Sequence, residues 1–390
     1  MIKMHEVRSQ LPVMAENPER RERWAYLTEG IKDDYKRRVT EVLLDNQLQD
    51  LHQRAARGPL YEDVVTTANV GPFTTFMLPL VRRVYPTLIA QDLVSVQPMT
   101  QPTGKVFYFD ITYSAAGSPP VAQRVDLLAN FQINYASNVP EIGTVPELSL
   151  SISSANISAE SKKLKAKWSL ESEQDLFAYH GLDAQNELMT AVSGEIAREI
   201  DREIITDLFN FAGAGNVIWD ALQPTSGPWA TQSPKEWGRT LYDSIVDANN
   251  LIVKKRYRNA TWIVASATDC TRMEKLEAFR LFPAASPGTP GTIVTGPHLF
   301  GTIEGRFAVY KDPWLADGTI LLGYRGDTPL DTGYVYSPYI PLMATAPFTD
   351  PNTLTTVRAM MTRYAKQGVI PEMYATVTII NGGGVPAYEQ

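Results

Sequence analysis

The sequence predicts an α+β protein with more than one lobe, and two patterns support this. Between Lys163 and Phe211 a strand pattern changes into a long helix pattern. From Trp237 onward a helix, a short buried strand, a second helix and several further strands follow one another. The length of 390 residues also exceeds what one hydrophobic core usually serves.

Residues 1–60 carry charges of both signs around a narrow apolar stripe, which comprises Val39, Val42, Leu43, Leu48 and Leu51. A helix of this kind is too polar to form a core alone, so we expect it to lie against another surface. We interpret its basic clusters as part of a solvated helix face with acid–base pairs, in preference to a contact with nucleic acid.

Two strands are predicted on either side of an irregular segment. Lys105–Tyr113 places Phe107 and Phe109 in one phase, and Leu148–Ile157 begins with Leu148, Leu150 and Ile152 in one phase. The intervening segment, roughly residues 114–146, is rich in Gly, Pro, Ser and Asn. This pattern indicates a projecting β-ribbon, and because an isolated ribbon is marginally stable in water, we expect it to lie on a neighbour.

The next strand has one cationic and one apolar face. Lys163, Lys165 and Lys167 alternate with Leu164, Ala166 and Trp168. A helix start follows at Ser169, and from Leu182 an apolar residue recurs every four positions, at Leu188, Val192, Ile196, Ile200, Ile204 and Leu208. About thirty helical residues span roughly 45 Å. Glu195 and Glu199 are among the acidic residues on the other faces. A helix this long is typical of a structural support against which other elements or subunits pack.

The second lobe begins with a helix whose apolar face includes Trp237 and Leu251. Ala260–Ala265 is predicted as a buried strand, and Ser266 as the N-cap of a helix that reaches Leu276. Residues 282–298 are predicted to form a surface loop. The remaining predicted strands are Arg306–Tyr310, Thr319–Tyr324, Thr355–Tyr364 and Met373–Ile380.

Composition excludes several classes of protein. No run of eighteen apolar residues is present, so no membrane contact is expected, and the first residues lack the apolar core of a signal peptide. The single Cys270 excludes an internal disulfide and suits a reducing cytoplasm. A net charge of −7 disfavours tight nonspecific adhesion to DNA.

No catalytic, cofactor or metal site is predicted. The histidines, His5, His52, His180 and His298, include no pair at ligand spacing. Cys270 lies on a predicted helix, where a cysteine is more often a buried thiol than a catalytic nucleophile. Gly213-Ala214-Gly215 lacks the following Lys-Ser or Lys-Thr of a phosphate loop. A hydrolase using Asp312 or His298 is a remote alternative.

Several separated motifs resemble the major capsid proteins of contractile-tailed bacteriophages of the T-even type. They are Leu80-Val81-Arg82-Arg83-Val84-Tyr85-Pro86, Val96-Gln97-Pro98-Met99, His180-Gly181-Leu182-Asp183-Ala184 with the following helix, and the turn-rich aromatic run from Tyr310 to Leu342. The resemblance extends in order over about residues 58–380. We interpret the aromatic run as an irregular segment at a subunit junction.

The resemblance implies the Hong Kong 97-type capsid fold. Its parts would be an N-terminal arm (1–60), a peripheral domain with the spine helix (61–100, 173–222 and 350–390), an extended loop (101–172) and an axial domain (223–349). Subunits of this family form hexamers and pentamers of an icosahedral head around double-stranded DNA. Implied partners are further copies, portal, vertex or decoration proteins, and DNA in loose contact. The virion capsid is the implied location, with assembly in the host cytoplasm.

We expect the extended loop to lie over a neighbouring subunit, with its lysines facing an acidic helix there. The expected contact residues are Lys163, Lys165, Lys167, Trp168, Phe107, Phe109, Glu195 and Glu199. Two alternatives share the fold, a pentamer-only vertex protein and a cellular encapsulating shell. Relatives are often cleaved after a Leu/Ile-x-Glu motif, which Leu27-Thr28-Glu29 and Leu60-Tyr61-Glu62 match. We expect instead that residues 1–60 are retained as a clamp.

Overall fold

The computed structural model describes residues 17–56, 81, 85, 88–114, 147–181, 183–227, 229–230, 233–281, 297–326, 328, 330–345, 347–350, 353 and 355–381. The helices in these ranges are α1 (Pro18–Thr28), α2 (Asp34–Ala56), α3 (Ala90–Leu93), α4 (Leu170–His180), α5 (Ala184–Phe211), α6 (Pro234–Arg256) and α7 (Ala267–Glu274). A 3-10 turn spans Pro371–Met373.

The strands in the same ranges are β1 (Ser95–Val96), β2 (Thr103–Ser114), β3 (Glu147–Ser158), β4 (Glu160–Ser169), β5 (Gly215–Asp220), β6 (Trp262–Ser266), β7 (Phe279–Leu281), β8 (His298–Ile303), β9 (Phe307–Asp312), β10 (Thr319–Gly323), β11 (Tyr334–Ala344), β12 (Phe348–Asp350), β13 (Thr355–Gly368) and β14 (Tyr374–Ile380). This mixture of helices and sheets is the α+β class that the sequence predicts.

The chain divides into two compact units. The first comprises residues 1–106, 155–203 and 335–367, and the second comprises 107–154, 204–334 and 368–390. Helix α5 contributes to both, since its residues to Glu203 belong to the first unit and those from Ile204 to the second. Its predicted apolar face is buried at Val192, Ile196, Ile200, Ile204 and Leu208.

A five-stranded sheet organises the first unit, in the order β1-β11-β13-β12 with β4 paired to β13. Strand β4 runs antiparallel to β13 over ten residue pairs, from Ser169 opposite Thr355 to Glu160 opposite Tyr364. The lysine strand was predicted to be an arm of the extended loop, but its backbone is hydrogen-bonded into this sheet. The two-stranded ribbon consists of β2 and β3 alone.

Helix α2 docks within its own unit. The Asn46 amide donates to the backbone oxygens of Met99 at 2.8 Å and Tyr339 at 3.0 Å. Val39, Val42 and Leu43 of the predicted stripe are buried, as expected for a helix lying against another surface. The predicted acid–base pairs are present, among them Arg20–Asp45 at 2.6 Å and Lys36–Asp92 at 2.7 Å.

A seven-stranded sheet in the order β5-β14-β10-β6-β9-β8-β7 forms the second unit. Its core contains Leu241 and Ile245 of α6, Ile263 of β6, and Cys270 and Met273 of α7. The predicted cap is present, because the Ser266 hydroxyl accepts from the Asp269 amide at 3.1 Å. At Gly323 an added Cβ would lie 2.2 Å from the Trp262 ring, so this crossing requires glycine.

Two segments differ from the sequence predictions. Tyr334–Ala344, interpreted as irregular, is the buried strand β11, because it pairs with β1 and lies beside β13 in the central sheet. Strand β14 was assigned with residues 350–390 to the peripheral domain. It hydrogen-bonds to β5, which was assigned to the same domain, and to β10, which was assigned to the axial domain, so the second sheet contains strands from both predicted domains. Residues 282–296 of the predicted loop lie outside the described residues, and His298 begins β8.

Candidate assembly surfaces

The lysine face, formed by the side chains of Lys163, Lys165 and Lys167, is exposed along one side of β4. The alternate residues Ala166 and Trp168 are buried on the other side, as the period-two pattern predicts. Within the described residues, the structure gives the three ammonium groups no ion-pair partner. The lysine face is therefore a cationic surface that the described part of its own chain leaves open.

The buried side of β4 is joined to α5 through Glu203. This carboxylate accepts hydrogen bonds from the Tyr364 hydroxyl at 2.6 Å and the Lys366 ammonium at 2.5 Å, and it also pairs with Lys162. Burial alone would raise the pKa of Glu203, but hydrogen bonds from Lys162, Lys366 and Tyr364 outweigh it and lower the pKa from 4.5 to about 2. Glu203 thus connects β4, β13 and α5.

The acidic residues predicted to meet a neighbour's lysines are already paired within the chain. Glu199 accepts from Lys162 at 3.2 Å, and Glu195 pairs with Arg198 one turn along α5. Both carboxylates remain about half exposed. A neighbour would therefore have to compete with local cations for them. The sequence missed Lys162 as their partner because this residue has the opposite phase from the lysine face.

The predicted aromatic contacts divide into three cases. Trp168 is only 7% exposed, and its indole N–H donates to Glu173 at 2.9 Å, so it packs against its own chain and offers little surface to a neighbour. Phe107 on the β2–β3 ribbon is exposed. Phe109 lies in strand β2, but its side chain is outside the described residues.

Apolar residues share the sheet face that carries the lysines. Lys163, Lys165 and Lys167 are opposite Met361, Ala359 and Val357 of β13, and paired residues point to the same side of a sheet. Phe348 of β12 is also opposite Val357 and is 58% exposed. The lysine face therefore borders an apolar strip that is exposed at Phe348 and partly exposed at Ala359 and Met361, while Val357 is already buried.

Helix α4 is a surface that the sequence pattern did not identify as a contact. The Ser169 hydroxyl caps its start by accepting from the Ser172 amide, and Gly181 ends it with a φ of 65°. None of its side chains is buried, and Phe177 and Tyr179 are 69% and 82% exposed. The spacing of Leu170 and Phe177, two helical turns apart, is the signal that could have revealed one exposed apolar face, while Tyr179 lies on the opposite face.

The side chains considered as catalytic candidates in the sequence, Cys270 and Asp312, have structural roles in the fold. Burial raises the pKa of the Cys270 thiol to about 12. Asp312 is buried and accepts a hydrogen bond from the Trp314 amide at 2.9 Å, which is a turn contact. The described residues contain no group of three or more His, Cys, Asp or Glu able to hold a metal ion. No described helix is long and apolar enough to cross a membrane.

The profile of the family described as Major capsid protein Gp23 matches residues 70–139 and 126–386. The chain belongs to this family. The major capsid protein of Vibrio phage KVP40 is 25% identical over 377 residues, covering 71% of this chain and 73% of the relative. That of Salmonella phage ViI is 25% identical over 355 residues, covering 78% of each chain. Among solved structures, "The capsid of Myoviridae Phage XM1" aligns with a TM-score of 0.44 and 10% identity, over 75% of this chain and 92% of that one.

This major capsid protein is a structural subunit of a tailed-phage virion that assembles into capsid oligomers, and the relatives reported above are likewise major capsid proteins. The predicted α+β class is confirmed by the structure, and the family that the sequence motifs resemble is confirmed by the profile match. The family match supports the shell subunit over the vertex protein and the encapsulating shell. The exposed surfaces described above are therefore candidates for contact between subunits.

Proposed function

We propose that the lysine face and the β2–β3 ribbon carry contacts that join this capsid protein to neighbouring subunits of a shell built from hexamers and pentamers. The observation that carries the proposal is the lysine face itself. Three cations lie in a row on an open sheet face, beside Phe348 and without ion-pair partners in the described chain. A chain with a net charge of −7 offers abundant acidic surface to such a row.

The energy of the contact would come from both kinds of surface. An exposed ion pair contributes only about 0–1 kcal/mol. Burial of the apolar strip contributes roughly 25 cal/mol for each Å² removed from water. The lysines would therefore mainly determine orientation and partner choice, while Phe107, Phe348 and their surroundings would supply much of the affinity.

Reversing all three lysines to Glu tests this proposal. We expect the Lys163→Glu, Lys165→Glu, Lys167→Glu variant to fold, because the lysine face is exposed, yet to remain unassembled. Size-exclusion chromatography and electron microscopy measure assembly, and circular dichroism measures folding. Lys32→Glu, Lys235→Glu, Lys254→Glu is a matched control, since it makes the same charge change at exposed residues elsewhere. Normal shells from the first variant would refute the proposal.

The remaining partners follow from the role as shell subunit. We place portal, vertex or decoration proteins and packaged double-stranded DNA among them, with DNA held loosely because of the net negative charge. Assembly would take place in the host cytoplasm, which suits a chain whose single Cys270 is buried. Cross-linking mass spectrometry of intact particles tests these contacts, and tight binding of DNA by the purified subunit at physiological salt would contradict the loose contact.

A further inference from the structure

Helix α4 has the features of a surface that another protein covers. Leu170, Phe177 and Tyr179 are all more than half exposed, although large aromatic side chains usually bury most of their area. Glu171 and Asp175 are exposed on the same helix. At 3.6 residues per turn, Glu171, Asp175 and Tyr179 lie along one face of the helix, and Leu170 and Phe177 lie on the opposite face. An exposed aromatic residue beside polar residues is typical of a protein–protein contact. Because this is a self-assembling capsid protein, a second copy of the chain is the natural occupant.

We infer that α4 docks on the lysine face of a second copy, and that the two copies exchange this contact reciprocally across a two-fold axis. The inference rests on the proposed role of the lysine face and specifies what that face binds. It replaces α5 as the acidic partner, because Glu195 and Glu199 are paired with Arg198 and Lys162 of their own chain.

The two surfaces match in length and in charge. From Lys163 to Lys167 the strand advances about 13 Å at 3.3 Å per residue. From Glu171 to Tyr179 the helix advances about 12 Å at 1.5 Å per residue. The strand presents cations beside Met361 and Phe348, and the helix presents the carboxylates of Glu171 and Asp175 beside Tyr179, because residues four apart share one helix face. Each surface thus offers the other both an ionic and an apolar contact.

Reciprocity follows from the position of both surfaces in one short segment. Strand β4 ends at Ser169 and α4 begins at Leu170, so both surfaces belong to the same unit and are joined without a linker. The indole of Trp168 also bonds to Glu173 and links the two elements. A patch that carries both halves of a complementary pair is self-complementary, and such patches associate about two-fold axes.

The two-fold symmetry determines which subunits of the shell this contact would join. Hexamers and pentamers close through head-to-tail contacts, in which each subunit uses one surface toward the next and a different one toward the previous. A two-fold contact cannot propagate such a ring, so this one would join subunits of adjacent capsomers. DNA is the competing occupant of the lysine face, but the adjacent carboxylates of α4 would repel phosphates.

Charge exchange tests the pairing. The three lysine reversals should again prevent assembly, and Glu171→Lys with Asp175→Lys should lower the yield of shells by at least about tenfold, since several weak ion pairs are lost and like charges are brought together. A single chain carrying all five changes should assemble within about twofold of the wild type. Glu173 is left unchanged because it holds Trp168.

The outcomes separate this inference from the proposed function. If the lysine reversals block assembly but the α4 changes have no effect, the lysine face binds something other than α4 and this inference fails alone. If the lysine reversals leave shells intact but empty of DNA, the face binds nucleic acid and both proposals fail.

Cross-linking tests the symmetry. A Lys165→Cys, Asp175→Cys variant, assembled and treated with a short bismaleimide, should give covalent dimers only, because each copy reaches the same neighbour twice. The native Cys270 is buried and should not react. The matched controls are the two single-cysteine variants, which should give little product. A ladder that reaches pentamers and hexamers would show a head-to-tail contact and overturn the two-fold assignment, and absence of any product would overturn the contact itself.

Discussion

Replacing Glu203 by Gln removes the charge that connects β4, β13 and α5. The carboxylate contacts Lys162, Lys366 and Tyr364, and its side chain is 23% exposed. Glutamine retains the size and one acceptor but cannot balance two ammonium groups. The expected result is a less stable subunit with an unchanged fold.

The magnitude follows from the pKa of Glu203, which is lowered from 4.5 to about 2. One pKa unit corresponds to about 1.4 kcal/mol, which gives an upper limit of about 3.4 kcal/mol. Solvent reaches both partly exposed lysines and screens the interaction, so we expect a loss of about 1–2 kcal/mol in the free energy of unfolding at pH 7. Because the pKa is depressed in the folded state, this stabilisation is present above pH 4.5 and is lost as the pH falls through about 2.

Urea unfolding of the unassembled subunit, followed by circular dichroism at pH 7, 5 and 3, measures the effect. The difference between wild type and Glu203→Gln should be similar at pH 7 and 5 and should fall to about half or less at pH 3. Glu199→Gln is the matched control, because Glu199 binds the same Lys162 but is half exposed, and it should cost at most about 0.5 kcal/mol. Equal losses for the two variants, or a loss at Glu203 that does not depend on pH, would refute the reasoning.

Two further predictions concern Cys270 and the N-terminal region. Burial raises the pKa of the Cys270 thiol to about 12, so the thiol is protonated at pH 8. We expect it to resist iodoacetamide in the folded subunit and to react in urea. Rapid labelling without denaturant would contradict its burial. Leu27 and Thr28 of the candidate cleavage motif are buried, which restricts access by a protease. We therefore expect residues 1–60 to be retained in the virion as a clamp. A mature N-terminus at Gly30, measured by mass spectrometry, would contradict this prediction.

Local periodicity was sufficient to predict the main helices and strands. The face of α5, the alternation of β4 and the cap at Ser266 are all present, because each depends on side chains a few residues apart. Sheet partners were not predictable in this way. The pairing of β4 with β13 joins residues almost two hundred positions apart, and the aromatic run at Tyr334 is a strand only because β1 and β13 lie beside it.

The candidate surfaces show the same division. Alternation predicted that Lys163, Lys165 and Lys167 would be exposed together. It did not predict that Lys162 would pair with Glu199, or that the Trp168 indole would donate to Glu173 of its own chain, because both contacts depend on how the elements pack. Helix α4 was predicted to begin at Ser169, but its exposure became visible only when the surrounding chain was in place.

Cationic and apolar side chains alternate along β4, so the register between β4 and β13 determines whether a subunit presents the lysine face needed for assembly. A slip of one residue would turn Lys163, Lys165 and Lys167 toward α5 and bring Lys162, Ala166 and Trp168 to the surface. The misaligned subunit would then lack both its ionic connection to Glu203 and its cationic outer surface. A growing shell that requires this surface would accept only subunits whose sheet had formed in the correct register, so assembly itself would act as a check on folding.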